Sequence, residues 1–404
     1  MLRLPSLATP RIGISWRIAR NERRKDNMIA DQGAKFDIPR GVTYLNCAYL
    51  SPLLRASVEA GKAGIARKAQ PWTIHRDDFF TEVEHVRNLF ARLINAPPDA
   101  VALVPAWSYA TAIAAANLDL QGSQSIVALE SEHFSNVYQW KLRCRETGAE
   151  LIMVPEPELG GWTQSILDRI DHRTAVVSVP QCHWHDGRLV DLAAVADATR
   201  AVGAAFVDGT QSIGAMRFDV HQVRPAFAFC SAYKWLLGPY GLAFLYVAPE
   251  YQNGHPLEHH GYNRLGADQA SSTVGYTDKF MEGARRYDFG ERSNFIFLPM
   301  MSAALNQVLE WKPDNIQQTI APLIADINRR GQGLELRAPE QGVDHFTGLR
   351  VKTGRFSQDL QKSLSDAHVH VSLRGKALRI SPYLYNSSAD VDRLFEVLER
   401  ALRR

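Results

Sequence analysis

Lys234 lies in the stretch FAFCSAYKWLLGPYGLAFLYV, residues 227 to 247, between two short apolar runs. The runs read as buried strands joined by a tight connection, which holds one amine between them. A poorly solvated lysine keeps part of its population as the neutral amine, and a neutral amine attacks carbonyl carbon. A lysine at a strand end can instead lay its stem on apolar surface and keep its charge in water. A second residue upstream decides between these readings. AAFVDGTQSIGA (residues 204–215) runs a β-like segment into Asp208, with Gln211 three residues on. An acid at one strand end and a lysine at another about 25 residues later suit a cofactor that joins an aldehyde to a pyridine ring. Pyridoxal phosphate is such a cofactor. The lysine would hold its aldehyde as a Schiff base, and the aspartate would keep the ring nitrogen protonated so that the ring accepts electrons.

The elements that must hold these groups alternate between short β-branched apolar runs and helix-patterned segments. VALVP (101–105) precedes a helix candidate from Tyr109 to Leu118, and SIVALE (125–130) precedes one from Asn136 to Thr147. LIMVPE (151–156), TAVVSVP (174–180) and AAFVD (204–208) follow, the last two separated by a helix that Asp191 is placed to cap. FAFCS (227–231) and LAFLYVA (242–248) stand close enough to pair antiparallel. Seven such runs predict an α/β fold, a mostly parallel seven-stranded sheet between helices. Ligands of such sheets sit beyond the carboxyl ends of the strands, and Asp208 lies at one of those ends. Beyond Tyr251 the pattern loosens through GARRYDFGERSNF (283–295), then a helix runs from about Pro299 to Trp311. Short strands HVHVSL (368–373) and ALRISP (377–382) and a final amphipathic helix, Ala389 to Leu402, complete a smaller α+β unit. The expected division is a basic, disordered extension over 1–27, a segment over 28–60 that joins the small domain, a large domain over 61–298 and a small C-terminal domain over 299–404.

These motifs resemble the class V aminotransferase family, the branch of fold-type I pyridoxal phosphate enzymes that also holds cysteine desulfurases, kynureninase and isopenicillin N epimerase. The likeness runs from YLNCAYLSP (44–52) to RISPYLYNS (379–387), and DGTQS together with YKWLLGPYG makes it specific. It implies that Lys234 carries the cofactor, that Asp208 faces the ring nitrogen and that Gln211 bonds the phenolic oxygen. His133, in SEHFSNVYQW, would stack on one face of the ring and leave the other to substrate. Tyr109, Ala110 and Thr111 open a helix directly after a strand, where free N–H groups and the helix dipole favour an anion. The resemblance implies that Ala110 and Thr111 cradle the phosphate there, with Ser231 and Tyr233 as further ligands. Tyr233 stands where the family often has histidine. SVPQCHWHDGRLVDL (178–192) departs from the family pattern: Trp184 occupies the place of an asparagine near the ring oxygen. His183, His185 and Asp186 lie close together, but no further ligand cluster adjoins them, so no metal site is expected.

Arg379, in ALRISPYLYNS, stands where the family grips a substrate α-carboxylate, a task that suits the two parallel hydrogen bonds of a guanidinium fork. Arg374 would assist, and Asn46, in YLNCAYLSP, would line the substrate side. GARRYDFGERSN resembles the loop that reaches across a dimer to the partner's phosphate. The family's Gly-Thr is Gly290-Glu291 here, so Arg292, Ser293 and Asn294 are all candidates for that contact. A homodimer with shared sites is implied.

Composition narrows the rest. A net charge of +3 over 404 residues, with no dense basic patch in the main body, argues against nucleic acid as a partner. No apolar run approaches the roughly 18 residues of a membrane span. The four cysteines, Cys47, Cys144, Cys182 and Cys230, are widely spaced without a CxxC pair, which fits a reducing cytoplasm.

A lysine freed by an amino substrate can act as base at Cα. Transamination, racemisation or loss of a β or γ group can follow, and transamination on an amino acid is the favoured outcome. A lyase and an epimerase are the alternatives, and a non-catalytic binding relative of the fold is the alternative of another class. A persulfide-forming desulfurase is disfavoured: the resemblance requires a cysteine in the C-terminal domain, and none follows Cys230.

Overall fold

Most of the apolar runs are buried on both sides, the edge run 150–154 being only half-buried, and that burial explains where the sheet sits. The computed structural model describes residues 28–158, 160–269, 276–352 and 355–402; the expectation for residues 1–27 lies outside them. The seven runs form β2 (Val101–Val104), β3 (Ser125–Leu129), β4 (Glu150–Val154), β5 (Thr174–Pro180), β6 (Ala204–Asp208), β7 (Phe227–Ser231) and β8 (Ala243–Val247), after a short β1 (Thr43–Tyr44). They make one seven-stranded sheet in the order β2-β8-β7-β6-β5-β3-β4. β8 is antiparallel to both neighbours, as the closeness of its run to β7 predicts; the remaining pairs are parallel. Continuous apolar strands need helices on both faces. β4 lies on one side of β3 and β5 on the other, so the chain reverses its direction of travel across the sheet between β3 and β5. That makes a crevice at the carboxyl ends of these strands.

Helix boundaries follow local capping. Asp191 accepts hydrogen bonds from the N–H groups of Ala193 and Ala194, both at 3.1 Å, and starts Leu192–Arg200. Asn294 does the same for Ile296 and Phe297, at 3.0 and 2.8 Å. The helix expected from Pro299 therefore begins at Phe297 and ends at Trp311. The long helices Arg55–Lys68, Asp78–Leu93 and Pro313–Gly333, and the shorter Trp162–Leu167, Val220–Val223 and Gln358–Asp366, are absent from the sequence-based expectation. Arg55–Lys68 buries only Ser57, Gly61 and Gly64, so it shows no apolar stripe to read. A side chain on Gly64 would place Cβ 2.2 Å from the Phe295 carbonyl oxygen, which is how closely this helix approaches the next segment.

The C-terminal strands are β9 (Thr347–Arg350), β10 (Val369–His370), β11 (Ser372–Arg374) and β12 (Ala377–Ile380). The single strand expected over 368–373 is in fact two, because β10 pairs with β1 while β11 pairs with β12. Two residues past β1, Asn46 bridges Ser381, the residue after β12, and Ser51 N–H then donates to the Tyr233 carbonyl at 3.0 Å. One N-terminal segment thus ties the C-terminal strands to the lysine turn.

The loop over 283–294 is pinned by a buried ion pair. Arg87 and Asp288, both 1 % exposed or less, make two parallel hydrogen bonds of 3.0 and 2.7 Å. Asp288 also accepts from Leu103 N–H at 2.9 Å, fastening the loop to β2. Asp288 also meets the buried Arg292, so removing the carboxylate strips a partner from two guanidinium groups held out of water. Asp288→Asn is therefore expected to lower unfolding free energy by about 3–5 kcal/mol, read from the urea midpoint at constant slope.

Candidate active site

The carboxyl ends of β2, β3, β5, β6 and β7 deliver the groups singled out by the sequence to one edge of the sheet. Asp208 is the last residue of β6 and is buried, its Oδ1 accepting from Thr210 N–H at 2.8 Å. Burial pushes its carboxyl up to about 6, opposed by Thr210 and by the Lys234 charge. Lys234 follows β7, the neighbouring strand, and is 7 % exposed. Burial pulls its ammonium down to about 7; Arg379 and Arg374 act in the same direction and Asp208 against it. The turn that carries the lysine is closed by Leu237 N–H to Lys234 O at 3.0 Å and Gly238 N–H to Ala232 O at 2.8 Å. It holds Leu237 at φ +56°, a costly conformation for a bulky residue. Gly214 has φ +103°, and a Cβ there would sit 2.5 Å from the Trp235 carbonyl oxygen. Glycine is what lets the DGTQSIG loop lie against the lysine turn.

His133 is the N-cap of the helix Phe134–Thr147, its Nδ1 accepting from Ser135 N–H at 3.3 Å. Its ring stacks on Trp107 at 4.5 Å and 12°, with Trp184 edge-on at 5.3 Å. Burial, then the charges of Lys234, Arg374 and Arg379, push the imidazole down to about 4, so it is neutral at pH 7. Gln211 is buried, its amide donating to Ala48 O at 3.1 Å and its carbonyl accepting from Trp235 Nε1 at 3.1 Å. An amide nitrogen has two hydrogens, and Ala48 takes one. Ser231 and Tyr233 are joined through their side chains, and the Lys234 Nζ lies 5.7 Å from the centre of the Tyr233 ring.

Four expectations need correction. The helix after β2 begins at Trp107, two residues before the expected start. Ala110 N–H is consequently spent on Ala106 O at 3.2 Å, and the Thr111 hydroxyl on Trp107 O at 3.2 Å, both residues being fully buried. The uncapped N–H groups are those of Trp107, Ser108 and Tyr109. Tyr109 turns its hydroxyl to Glu258, which also accepts from Gly290 N–H at 2.5 Å. The Trp184 side chain has no donor left for a ring oxygen, because its indole N–H goes to Ser131 O at 2.8 Å. Finally, the candidates of the 290–294 loop turn inward. Arg292 is buried in an ion pair with Asp288 at 2.8 Å, Ser293 donates to Phe79 O at 2.5 Å, and Asn294 caps a helix.

On the opposite wall, Arg379 is 1 % exposed and donates to Trp184 O at 2.8 Å, while its Nε has no partner. Arg374 lies over the rings of Tyr49 and Trp184, at 5.1 and 5.9 Å. Asn46 is buried, with its carbonyl accepting from the Ser372 hydroxyl at 2.7 Å.

Sequence reasoning missed Glu132. It is buried beside His133, with Oε1 accepting from His133 N–H at 2.6 Å and Oε2 without a partner. Burial, reinforced by Asp208, pushes its carboxyl up to about 8. Its signal was present as an acid directly after a strand, one place before the histidine. Ser108 and Trp107 were missed through the helix register.

A class of protein follows from this arrangement: an α/β enzyme whose buried lysine and aspartate share the carboxyl edge of a mostly parallel sheet. The aminotransferase class-V family model matches residues 73–285, a little over half of the chain, and the chain belongs to that family. An uncharacterised aminotransferase of Bacillus subtilis, YcbU, is 26 % identical over 77 % of this chain and 81 % of its own. A probable cysteine desulfurase of Methanothermobacter thermautotrophicus is 32 % identical over 54 % of this chain and 56 % of its own. The structure of the cystine C–S lyase C-DES with cysteine persulfide superposes with a TM-score of 0.79, at 16 % identity, covering 89 % of this chain and 97 % of the other. The protein is thus a fold-type I, pyridoxal phosphate-dependent enzyme. The residues fit that cofactor: an amine held near neutrality, a desolvated carboxylate on the next strand, a flat neutral ring, and a helix start without a side-chain cap.

Glu132 yields a sign. Its carboxyl keeps a proton in the fold up to about pH 8 but releases it near 4.5 when unfolded, so the stability it contributes is lost as pH rises between these values. Glu132→Gln should therefore lose less stability than the parent between pH 5 and pH 8.5, measured by urea unfolding of cofactor-free protein.

Proposed function

We propose that the enzyme transaminates an amino acid, with Lys234 as the cofactor lysine and the base at Cα. The observation that carries this reading is the burial of Lys234 and Asp208 beyond the ends of adjacent strands, close enough for each charge to act on the other. Bound pyridoxal phosphate supplies an electron sink for a carbanion at Cα. Lys234, its ammonium pulled down to about 7, takes the Cα proton in its neutral form and returns one. Asp208 holds a proton at the ring nitrogen, and His133 covers one ring face. The N–H groups of Trp107, Ser108 and Tyr109, with the hydroxyls of Ser231 and Tyr233, take the phosphate. Arg379 takes the substrate α-carboxylate, and Asn46 steadies the wall beside it.

Transamination is favoured over sulfur transfer because β11 and β12 are joined by Gly375 and Lys376 alone, and no cysteine follows Cys230. The C-terminal unit therefore brings no thiol to accept sulfur. The likeness to a probable cysteine desulfurase supports a second reading, a C–S lyase that works without a protein thiol. We also read the protein as a cytoplasmic homodimer. Four buried free cysteines support the compartment, and the exposed aromatics Phe134 and Tyr138 beside the site support the interface.

A single-turnover assay separates the readings. Transamination releases one equivalent of 2-oxo acid per protomer without ammonia; ammonia released together with sulfide overturns it in favour of the lyase. Lys234→Ala should abolish the yellow, borohydride-fixable cofactor and lower turnover by about 10²–10⁴-fold. The neutral amine is the reactive form, so the rate of cofactor uptake by the apoprotein should rise with pH through about 7, followed by visible absorption.

A further inference from the structure

Two guanidinium groups on one wall of the site meet no carboxylate among the described residues. In the β11–β12 hairpin Ser372 pairs with Arg379, and Arg374 with Ala377. Cross-strand partners and residues two apart project to the same side, so Arg374 and Arg379 share a face as diagonal neighbours. Their contacts differ in depth. Arg379 is 1 % exposed and bonds the backbone carbonyl of Trp184. Arg374 is half-buried and lies over the Trp184 ring and over Tyr49, which is 53 % exposed and marks the rim. The groups that contact them are neutral: Trp184 O for Arg379, and Leu373 O with two aromatic rings for Arg374. Each keeps a buried Nε without a partner. An unpartnered nitrogen is not what sets them apart, since Arg292 has two; the difference is the carboxylate, for Arg87 and Arg292 meet Asp288 and Arg188 meets Asp186. Guanidinium groups out of water need anions, and here the described residues supply none.

We propose that the amino substrate carries a second anionic group, with Arg379 on the floor taking the α-carboxylate and Arg374 at the rim taking the acidic end of the side chain. The inference rests on the reading of Lys234 and Arg379 given above and adds the substrate class: acidic amino acids. A single carboxylate shared by both arginines fits the geometry less well, because the Trp184 side chain stands under one guanidinium and its carbonyl under the other. Asp208 and Glu132, the carboxylates that act on Lys234, lie on the strand ends of the sheet rather than on this hairpin. They leave the pair free for a ligand.

Isosteric pairs test this. Holoenzyme is titrated with L-glutamate against L-glutamine and with L-aspartate against L-asparagine, following the visible band and 2-oxo acid release. Glutarate against butyrate is titrated calorimetrically into cofactor-free protein as a readout independent of turnover. The acidic member of each pair should half-saturate at a concentration at least about tenfold lower. Arg374→Gln should collapse that ratio towards one, and Arg374→Lys should restore part of it. Equal affinity for acid and amide in the parent protein, or a ratio that survives Arg374→Gln, overturns the proposal while leaving the assignment of Lys234 standing. A colourless protein that fixes no cofactor with borohydride overturns both.

Discussion

An ammonium group gives up several kcal/mol of hydration when it leaves water, and Lys234 gives it up beside two guanidinium groups that repel it. Asp208 attracts it, but that carboxyl is itself buried and resists ionisation. Its ammonium is therefore pulled down to about 7, so a large share of the population near pH 7 is the neutral amine, the form that reacts with a carbonyl. His133 answers to the same field: surrounded by three cations and little water, it stays neutral and remains a flat surface rather than a fourth charge. Glu132 is the carboxyl counterpart, kept protonated by burial and by Asp208. The chemistry of the site is thus set by exclusion of water first and by pairwise charges second.

The sheet makes that exclusion geometrically cheap. A parallel link after β7 would need a crossover of a dozen or more residues, usually through a helix. Because β8 is antiparallel, the chain returns directly, and the short link carries Lys234 under backbone hydrogen bonds rather than on a mobile loop. The reversal between β3 and β5 opens the crevice in which His133 and Trp184 meet. The N-terminal segment then couples the two walls. Ser51 holds the Tyr233 carbonyl, Cys47 N–H donates to Ser381 O, and Arg379 lies two residues before Ser381 on β12. Movement of the arginine hairpin relative to the lysine turn would break this run of main-chain bonds.

The strands were legible because their β-branched runs are buried on both faces, and no other placement hides so continuous an apolar stretch. Lys234, Asp208 and His133 were legible as strand-end residues. Where the reading failed, tertiary contacts carried the decision. Trp107 starts its helix without any capping side chain, so nothing local marks the register that separates Ser108 from Ala110 and Thr111. Arg292 and Ser293 looked available on a polar, glycine-bearing loop, yet Asp288 and the Phe79 carbonyl, distant in sequence or folded back upon it, claim them. Trp184 looked like a substitute for an asparagine until Ser131, held at φ +57°, turned its carbonyl towards the indole N–H. HVHVSL split in two because its halves pair with strands from opposite ends of the chain.

Burial alone does not separate the residues that hold this fold from those that serve its chemistry. Arg87, Arg188 and Arg379 are all buried, and the first two meet carboxylates of the chain itself. Such pairs are complete; a ligand could enter only by displacing an ion already in place, with no gain in charge compensation. Arg379 and Arg374 are incomplete in the folded chain, as is Glu132 with its unpartnered Oε2. An incomplete charge destabilises the empty protein and is relieved when an oppositely charged or hydrogen-bonding group arrives. Arg374 and Arg379 thus differ from Arg87, Arg188 and Arg292 in meeting no carboxylate among the described residues, whereas the ion pairs around Asp288 and Asp186 are closed within the chain itself.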